Sequence, residues 1–306
     1  MKILISGASG LVGSALQSAF AEAGHSVARL VRLGPRRPRG SVATGDVEWD
    51  LATGHIDAPR MEGVDAVVHL AGANIAGERW TDGFKERIRH SRIDGTRIVA
   101  EAIAGLERPP RVLVQASAVG YYGDRGDEIL GEASRHGDGF LPAVCVAWEA
   151  AAAPVAARGV RVVILRFGVV LSARGGALKK MLPAFRLGIA GVIGSGRQWM
   201  PWLSLDDAVG VVAHAIADAG LAGPVNAVAP EPVTNRVFTK ALGRAVGRPT
   251  FLALPAFAAR LALGEMADAL LLASARAVPT RLQSAGYAWR HTDLEGALRA
   301  ALADRA

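Results

Sequence analysis

A single cysteine, Cys145, stands among the 306 residues of this chain, which excludes an intrachain disulfide and argues against a cysteine-based metal site. No long uninterrupted apolar run occurs either. The most apolar stretch, 251–275, is interrupted by Pro255, Arg260, Glu265 and Asp268, so it reads as two amphipathic helices rather than a membrane span. The first residues read as a strand, not as a charged leader before a cleavable apolar segment, and a cytoplasmic protein without a membrane partner is expected. Lysine blocks and interleaved basic and aromatic residues are lacking. The net charge of +7 therefore reflects arginines spread along an alanine- and arginine-rich chain, and no nucleic-acid partner is expected. His69, Asp206 and His214 are too scattered to form a metal site by spacing, so none is expected.

What is present is enough apolar material, 51% of residues, to bury a sizeable core. Short β-type runs alternate with helical patterns from the start, which is the signature of a parallel sheet with crossover helices. Strands are expected at 2–6, 26–31, 66–70, 111–116 and 160–167, with a late one near 225–228. Helices are expected at 11–23, 84–90, 93–105, 141–157 and 206–217. In the first of them Leu11, Val12, Ala15, Leu16, Ala19 and Phe20 share one stripe, and Gly24 ends it. The fold class is therefore α/β, a Rossmann-type doubly wound parallel sheet whose ligand lies across the carboxyl ends of the strands. Past residue 170 the rhythm changes, with Gly175, Gly176, Gly188, Gly191, Gly194 and Gly196 breaking up the segment. We divide the chain into a nucleotide domain, 1–170, joined by the late strand, and a smaller, mostly helical substrate-side region, 171–306.

Residues 7–13 read GASGLVG, directly after the first strand and opening the first helix. Gly7 permits a tight turn, Gly10 lets the backbone approach a pyrophosphate, and Gly13 lets the helix pack on the sheet. The helix N-terminus adds unpaired N–H groups and positive potential. No Asp or Glu occurs between Glu22 and Asp46, where an NAD-binding chain carries its ribose carboxylate; Arg32 stands at the strand end instead. Arg32 is thus assigned to the 2′-phosphate of NADP(H), while Arg36, Arg37 and Arg39 read as helpers or as solvated loop charges.

With the glycine loop at 7–13, HLAG at 69–72, a serine before YYG at 117–123 and LRFGVVL at 165–171, the chain resembles the extended short-chain dehydrogenase/reductases. It is more similar to one atypical branch, the epimerase family 39U proteins, historically labelled nucleoside-diphosphate-sugar epimerases. HLAGANI, RIRHSRIDGTR, SAVGYYG, CVAWEAAA, RFGVVLSARGGAL and IGSGRQWMPWLSLDDA carry that likeness, with a matching carboxyl-terminal stretch, over nearly the whole chain. The resemblance implies a Rossmann fold that binds NADPH and a carboxyl-terminal domain of unknown function. It places Gly7, Ser9, Gly10, Leu11, Val12 and Gly13 at the pyrophosphate and Arg32 at the 2′-phosphate. It also places Asp50 and Leu51 near the adenine, Leu70 and Ala71 on the adenosine side, and Arg92 and Val170 along the cofactor. Arg92 stands where many extended members carry Asn, so phosphate contact and helical packing both stay open for it. A homodimer through Ile93, Ile98, Ala102 and the alanine-rich face at 147–157 is implied in the same way.

The resemblance also implies a Tyr-x-x-x-Lys pair, in which lysine lowers the tyrosine pKa and tyrosine moves a proton. That pair is missing. Four residues after Tyr121, Tyr122 and Tyr287 stand Arg125, Gly126 and His291, and no lysine occurs between Lys85 and Lys179. The helix that should carry the pair offers Leu141, Cys145 and Glu149. Cys145 reads as a buried small apolar residue or a reactive thiol, with no neighbouring His or Lys to favour the latter. Glu149 reads as a base or as the partner of an arginine. Ser117 falls at the family's substrate-binding position, and Tyr121 is the candidate donor beside a structural Tyr122. Asp124, Asp127 and Glu128 read as acids near the cleft or as solvated charges. On the second wall Arg197, Trp199 and Trp202 form either a stacking, anion-binding surface or a core anchor. The expected activity is that of an NADP(H)-dependent reductase or epimerase on an unknown small molecule; the alternative is a non-catalytic NADP(H) sensor or scaffold.

Overall fold

The structure, a computed structural model, describes residues 1–34 and 37–304. Arg36, one of the helpers considered for a 2′-phosphate, lies outside the described residues. The central sheet is built from β1 (Lys2–Ser6), β2 (Ser26–Arg32), β3 (Val47–Asp50), β4 (His55–Ile56), β5 (Ala66–His69), β6 (Val112–Ala118), β8 (Arg161–Phe167) and β12 (Gly223–Ala227). Its order is β12-β8-β6-β5-β1-β2-β3-β4, parallel throughout except for the β3–β4 pair. The chain leaves β1 toward β2 on one side and returns at β5 on the other, so the crevice expected for a ligand opens between β1 and β5. Smaller pairs complete it: β7 (Ile129–Leu130) with β14 (Arg276–Ala277), β9 (Val169–Leu171) with β11 (Trp202–Ser204), and β10 (Trp199–Met200) with β13 (Val233–Thr234).

Both faces of the sheet are covered, as continuous apolar strand runs require. Ile3, Ile5, Val68, Val114, Val163 and Leu165 pack beneath α1 (Leu11–Glu22) and Leu205–Ala217. The alternate residues Leu4, Val67 and Leu113 pack beneath α2 (Asp82–Gly105). Residues past 170 hold a core of their own, with Leu178, Leu182, Trp202, Phe238, Leu242 and Leu298 at its centre.

Several boundaries differ from expectation for local reasons. The two helices expected at 84–90 and 93–105 are one, Asp82–Gly105, because the buried stripe of Phe84, Ile88, Ser91, Gly95 and Ile98 runs straight across the expected break. The segment expected as one helix at 141–157 divides into α3 (Phe140–Ala150) and α4 (Ala153–Ala157). Pro154 cannot donate to the carbonyl four residues earlier, and the helix restarts around it. The apolar 251–275 stretch yields Ala256–Leu263 and the short Glu265–Ala267, which runs into a wide turn at Asp268–Leu272. Ile98, expected on a dimer face, is buried against the sheet instead and has no surface to offer a partner.

Candidate functional site

The loop from Gly7 to Gly13 owes its shape to missing side chains. Gly7 has φ of 66°, and a Cβ there would lie 2.9 Å from the Leu70 carbonyl, so the loop sits directly on the chain leaving β5. A Cβ on Gly13 would overlap the Gly7 carbonyl oxygen. Gly10 caps α1 without a side-chain hydrogen bond, which leaves the first N–H groups of the helix unpaired and facing the crevice mouth. Ser9 and Gly10 are exposed, and Leu11 and Val12 are half-buried. This is a cradle that a side chain would fill, and it fits a pyrophosphate.

The floor of the crevice is held by one hydroxyl. Ser6 Oγ accepts the N–H groups of Leu70 (3.0 Å) and Ala71 (3.2 Å) and lies 2.7 Å from His69 Nδ1. Burial pushes the His69 imidazole down to about 4, so it stays neutral near pH 7. Neither Ser6 nor His69 was among the expected site residues; the signal available was a polar residue ending each of two adjacent apolar strands.

Around this centre the other expected cofactor residues fall as follows. Arg32 is exposed at the carboxyl end of β2, and Asp50 is half-buried at the end of β3. The Ala52 N–H and the Thr53 hydroxyl hold the Asp50 carboxylate below its usual range, so it caps its own turn. Leu51 packs against the α2 side of the core. Val170, in β9, packs on the α1 side. Arg92 donates to the Ala73 (3.0 Å) and Ile88 (3.3 Å) carbonyls and stacks on Trp148, with no carboxylate within ion-pair distance among the described residues. Burial lowers its pKa. An anion would complete this lone cation.

The opposite wall is a network of side chains. Glu149, from α3, takes Arg166, from β8, in a two-pronged ion pair with both contacts at 2.8 Å. Ser117 donates its hydroxyl to Glu149 Oε1 at 2.6 Å. Arg166 also donates to the Tyr122 hydroxyl, which donates in turn to Asn226 at 2.7 Å. Burial opposes the charge on Arg166, but the hydrogen bonds and charge of Glu149 outweigh it and raise its pKa. Glu149 is therefore an ion-pair partner in this fold, and the single charge inside VVILRFGVVL was the sequence signal for it. The Arg166 guanidinium also lies 3.4 Å from the centre of the Tyr121 ring, whose hydroxyl makes no hydrogen bond among the described residues. Cys145 is buried behind Ser117; burial, with the nearby Glu149 charge, pushes its thiol up to about 12, so it is not a reactive thiol.

On the second wall the tryptophan pair separates. Trp202 is fully buried and donates to the Glu231 carbonyl, so it anchors the core and cannot stack on a ligand. Trp199 is half-buried, covered by Arg276 and donating to Asp127 at 2.8 Å. Asp124 caps the backbone at Ser274 and Gly126, and Glu128 pairs with Arg125. All three acids are thus occupied in joining the 124–128 loop to itself or to the second wall.

Residues 3–227 match the NAD dependent epimerase/dehydratase family model, and residues 254–301 match a domain of unknown function, DUF1731. An epimerase family protein of Mycobacterium bovis, Mb2239, is 45% identical over 97% of this chain and 96% of its own length. YfhF, an epimerase family protein of Bacillus subtilis, is 36% identical over 100% of this chain and 99% of its own. The human epimerase family protein SDR39U1, solved with NADPH, superposes with a TM-score of 0.88 at 32% identity, covering 100% of both chains. A nucleoside-diphosphate sugar epimerase structure from Corynebacterium glutamicum has a TM-score of 0.78 at 38% identity, over 97% of this chain and 57% of that one. With the sheet order, the glycine loop and these matches in agreement, the chain belongs to the NAD dependent epimerase/dehydratase family.

Proposed function

We propose that this chain binds NADP(H) and acts as an oxidoreductase or epimerase on a small carbonyl compound or sugar derivative. The observation that carries this reading is the side-chain-free cradle at residues 7–13 with an exposed arginine, Arg32, at the end of β2. Gly7, Ser9, Gly10, Leu11, Val12 and Gly13 form the pyrophosphate loop, with Gly10 closing its turn on the Gly7 carbonyl and the first helical N–H groups facing the anion, and Arg32 takes a 2′-phosphate. Asp50, Leu51, Leu70 and Ala71 line the adenosine side, with Arg92 and Val170 further along. The human relative solved with NADPH supports the choice of cofactor. When bound, the nicotinamide supplies hydride transfer.

The chain's own part is positioning and proton movement. Tyr121 is the proton donor, with a hydroxyl free of intramolecular hydrogen bonds among the described residues and a ring held flat by Arg166. Ser117 serves a substrate carbonyl by turning its proton away from Glu149, whose Oε1 keeps its hydrogen bond from Arg166 Nε. That turn exchanges a charge-assisted hydrogen bond for a neutral one, so the substrate's other contacts must offset the difference.

The test is titration with NADPH and NADH, followed by turnover across a panel of aldehydes, ketones and nucleotide sugars. Turnover that is lost in Ser117→Ala or Tyr121→Phe supports the enzyme. A second reading, an NADP(H) sensor or scaffold, is favoured by the ion pair in which Glu149 and Arg166 satisfy each other. Tight NADPH binding with no turnover across the panel would select it.

A further inference from the structure

We propose a site for one buried water molecule between His69 and Gln115, bridging β5 and β6 and joining the crevice floor to α3. Ser6 decides the polarity of the chain of bonds. Its oxygen already accepts two N–H groups, from Leu70 and Ala71, so its single proton is left for His69 Nδ1 at 2.7 Å. The reverse assignment would make the hydroxyl accept three times and leave its proton without an acceptor among the described residues. Nδ1 is therefore an acceptor, and in the neutral ring Nε2 carries the hydrogen.

That Nε2–H is buried and has no hydrogen-bond partner among the described residues. The same holds for Gln115 Oε1, on the neighbouring strand. Gln115 cannot be turned around to change this, because its amide nitrogen donates to the Trp148 carbonyl at 2.7 Å and the oxygen would repel that group. The two residues are register partners in parallel strands, so their side chains leave the same face of the sheet. The backbones of neighbouring strands lie about 4.8 Å apart, a spacing on the scale of a bridge made of two hydrogen bonds of about 2.8 Å each.

An orphan donor and an orphan acceptor on register partners of adjacent strands are what a single water satisfies, accepting from His69 Nε2–H and donating to Gln115 Oε1. The outcome is one continuous polar chain. It runs from the Leu70 and Ala71 amides through Ser6, His69, the water and Gln115 to Trp148, one residue before Glu149 on α3. Nothing in it depends on which nucleotide or substrate the crevice holds.

A high-resolution crystal structure of the full chain tests the site, with the expected result of one ordered peak about 2.6–3.1 Å from both His69 Nε2 and Gln115 Oε1. Nitrogen-15 NMR of the same protein should show His69 as the neutral Nε2–H tautomer at neutral pH. In Gln115→Met, which keeps the length of the side chain and removes the acceptor, the peak should vanish while the Ser6–His69 bond persists. An Nδ1–H tautomer, a direct His69–Gln115 hydrogen bond, or no peak between the two atoms would each overturn the proposal. The two wild-type measurements decide the matter even if the variant does not fold.

Discussion

On the α1 side of the crevice, Gly7, Gly10 and Gly13 present backbone and nothing else, and the N–H groups at the start of the helix stay unpaired. On the α3 side, Ser117, Glu149, Arg166 and Tyr122 present side chains that are already bonded to one another. The first wall is incomplete without an anion; the second is complete as it stands. A ligand therefore gains most from the backbone wall, and chemistry at the other wall must first displace a partner.

If the second wall is truly self-satisfied, breaking it from within should cost most. Arg166→Met leaves the Glu149 carboxylate buried without its cation, and about 3–5 kcal/mol of stability should be lost in denaturant unfolding. Adding Glu149→Leu should restore much of that loss, and a double-mutant cycle measures the coupling. The first wall should instead fail by crowding. Gly13→Ala forces a methyl group against the Gly7 carbonyl and should cost about 3 kcal/mol and most of the NADPH affinity, read by unfolding and by titration.

The seam between the walls can be probed with pH. Burial holds the folded His69 down at about 4 against about 6.5 in the unfolded chain, so the unfolded chain takes up the proton first. Its contribution is complete above about pH 6.5 and is lost as pH falls toward 4, by about 3 kcal/mol in all. Unfolding curves across that range should be steeper in pH for the wild type than for His69→Gln. A smaller effect, confined to binding, is expected at the rim: Arg32→Ala should weaken NADPH by about 2 kcal/mol, roughly 30-fold, and leave NADH and stability unchanged. The smallest signal should come from Cys145, whose buried thiol, pushed up to about 12, should stay unlabelled by alkylating reagents at pH 8 until the chain unfolds.

The comparison also separates what could be read in the residue string from what could not. The βαβ start was legible because every contributor is local: an apolar run, glycines at fixed offsets and a helical stripe from Leu11 to Phe20. The short strands β3 and β4 were missed; they are four and two residues long, pair with each other, and join the sheet only where β3 meets β2. Trp199 and Trp202 looked alike in sequence, three residues apart, yet one is covered by Arg276 and the other sits in the core of the second wall.

The sequence by itself determined the six main parallel strands of the sheet, the glycine cradle and the arginine at the end of β2, because turn geometry, helix initiation and the absence of acids act over a few residues. Only the tertiary structure decided that Glu149 belongs to Arg166, that Ser6 and His69 hold the crevice floor, and that Ser117 arrives with its proton already engaged. Those partners lie 17, 63 and 32 residues apart in the chain. A polar side chain chooses among all the groups that folding brings within hydrogen-bond reach, and that choice is a property of the assembled sheet and helices, not of any local run.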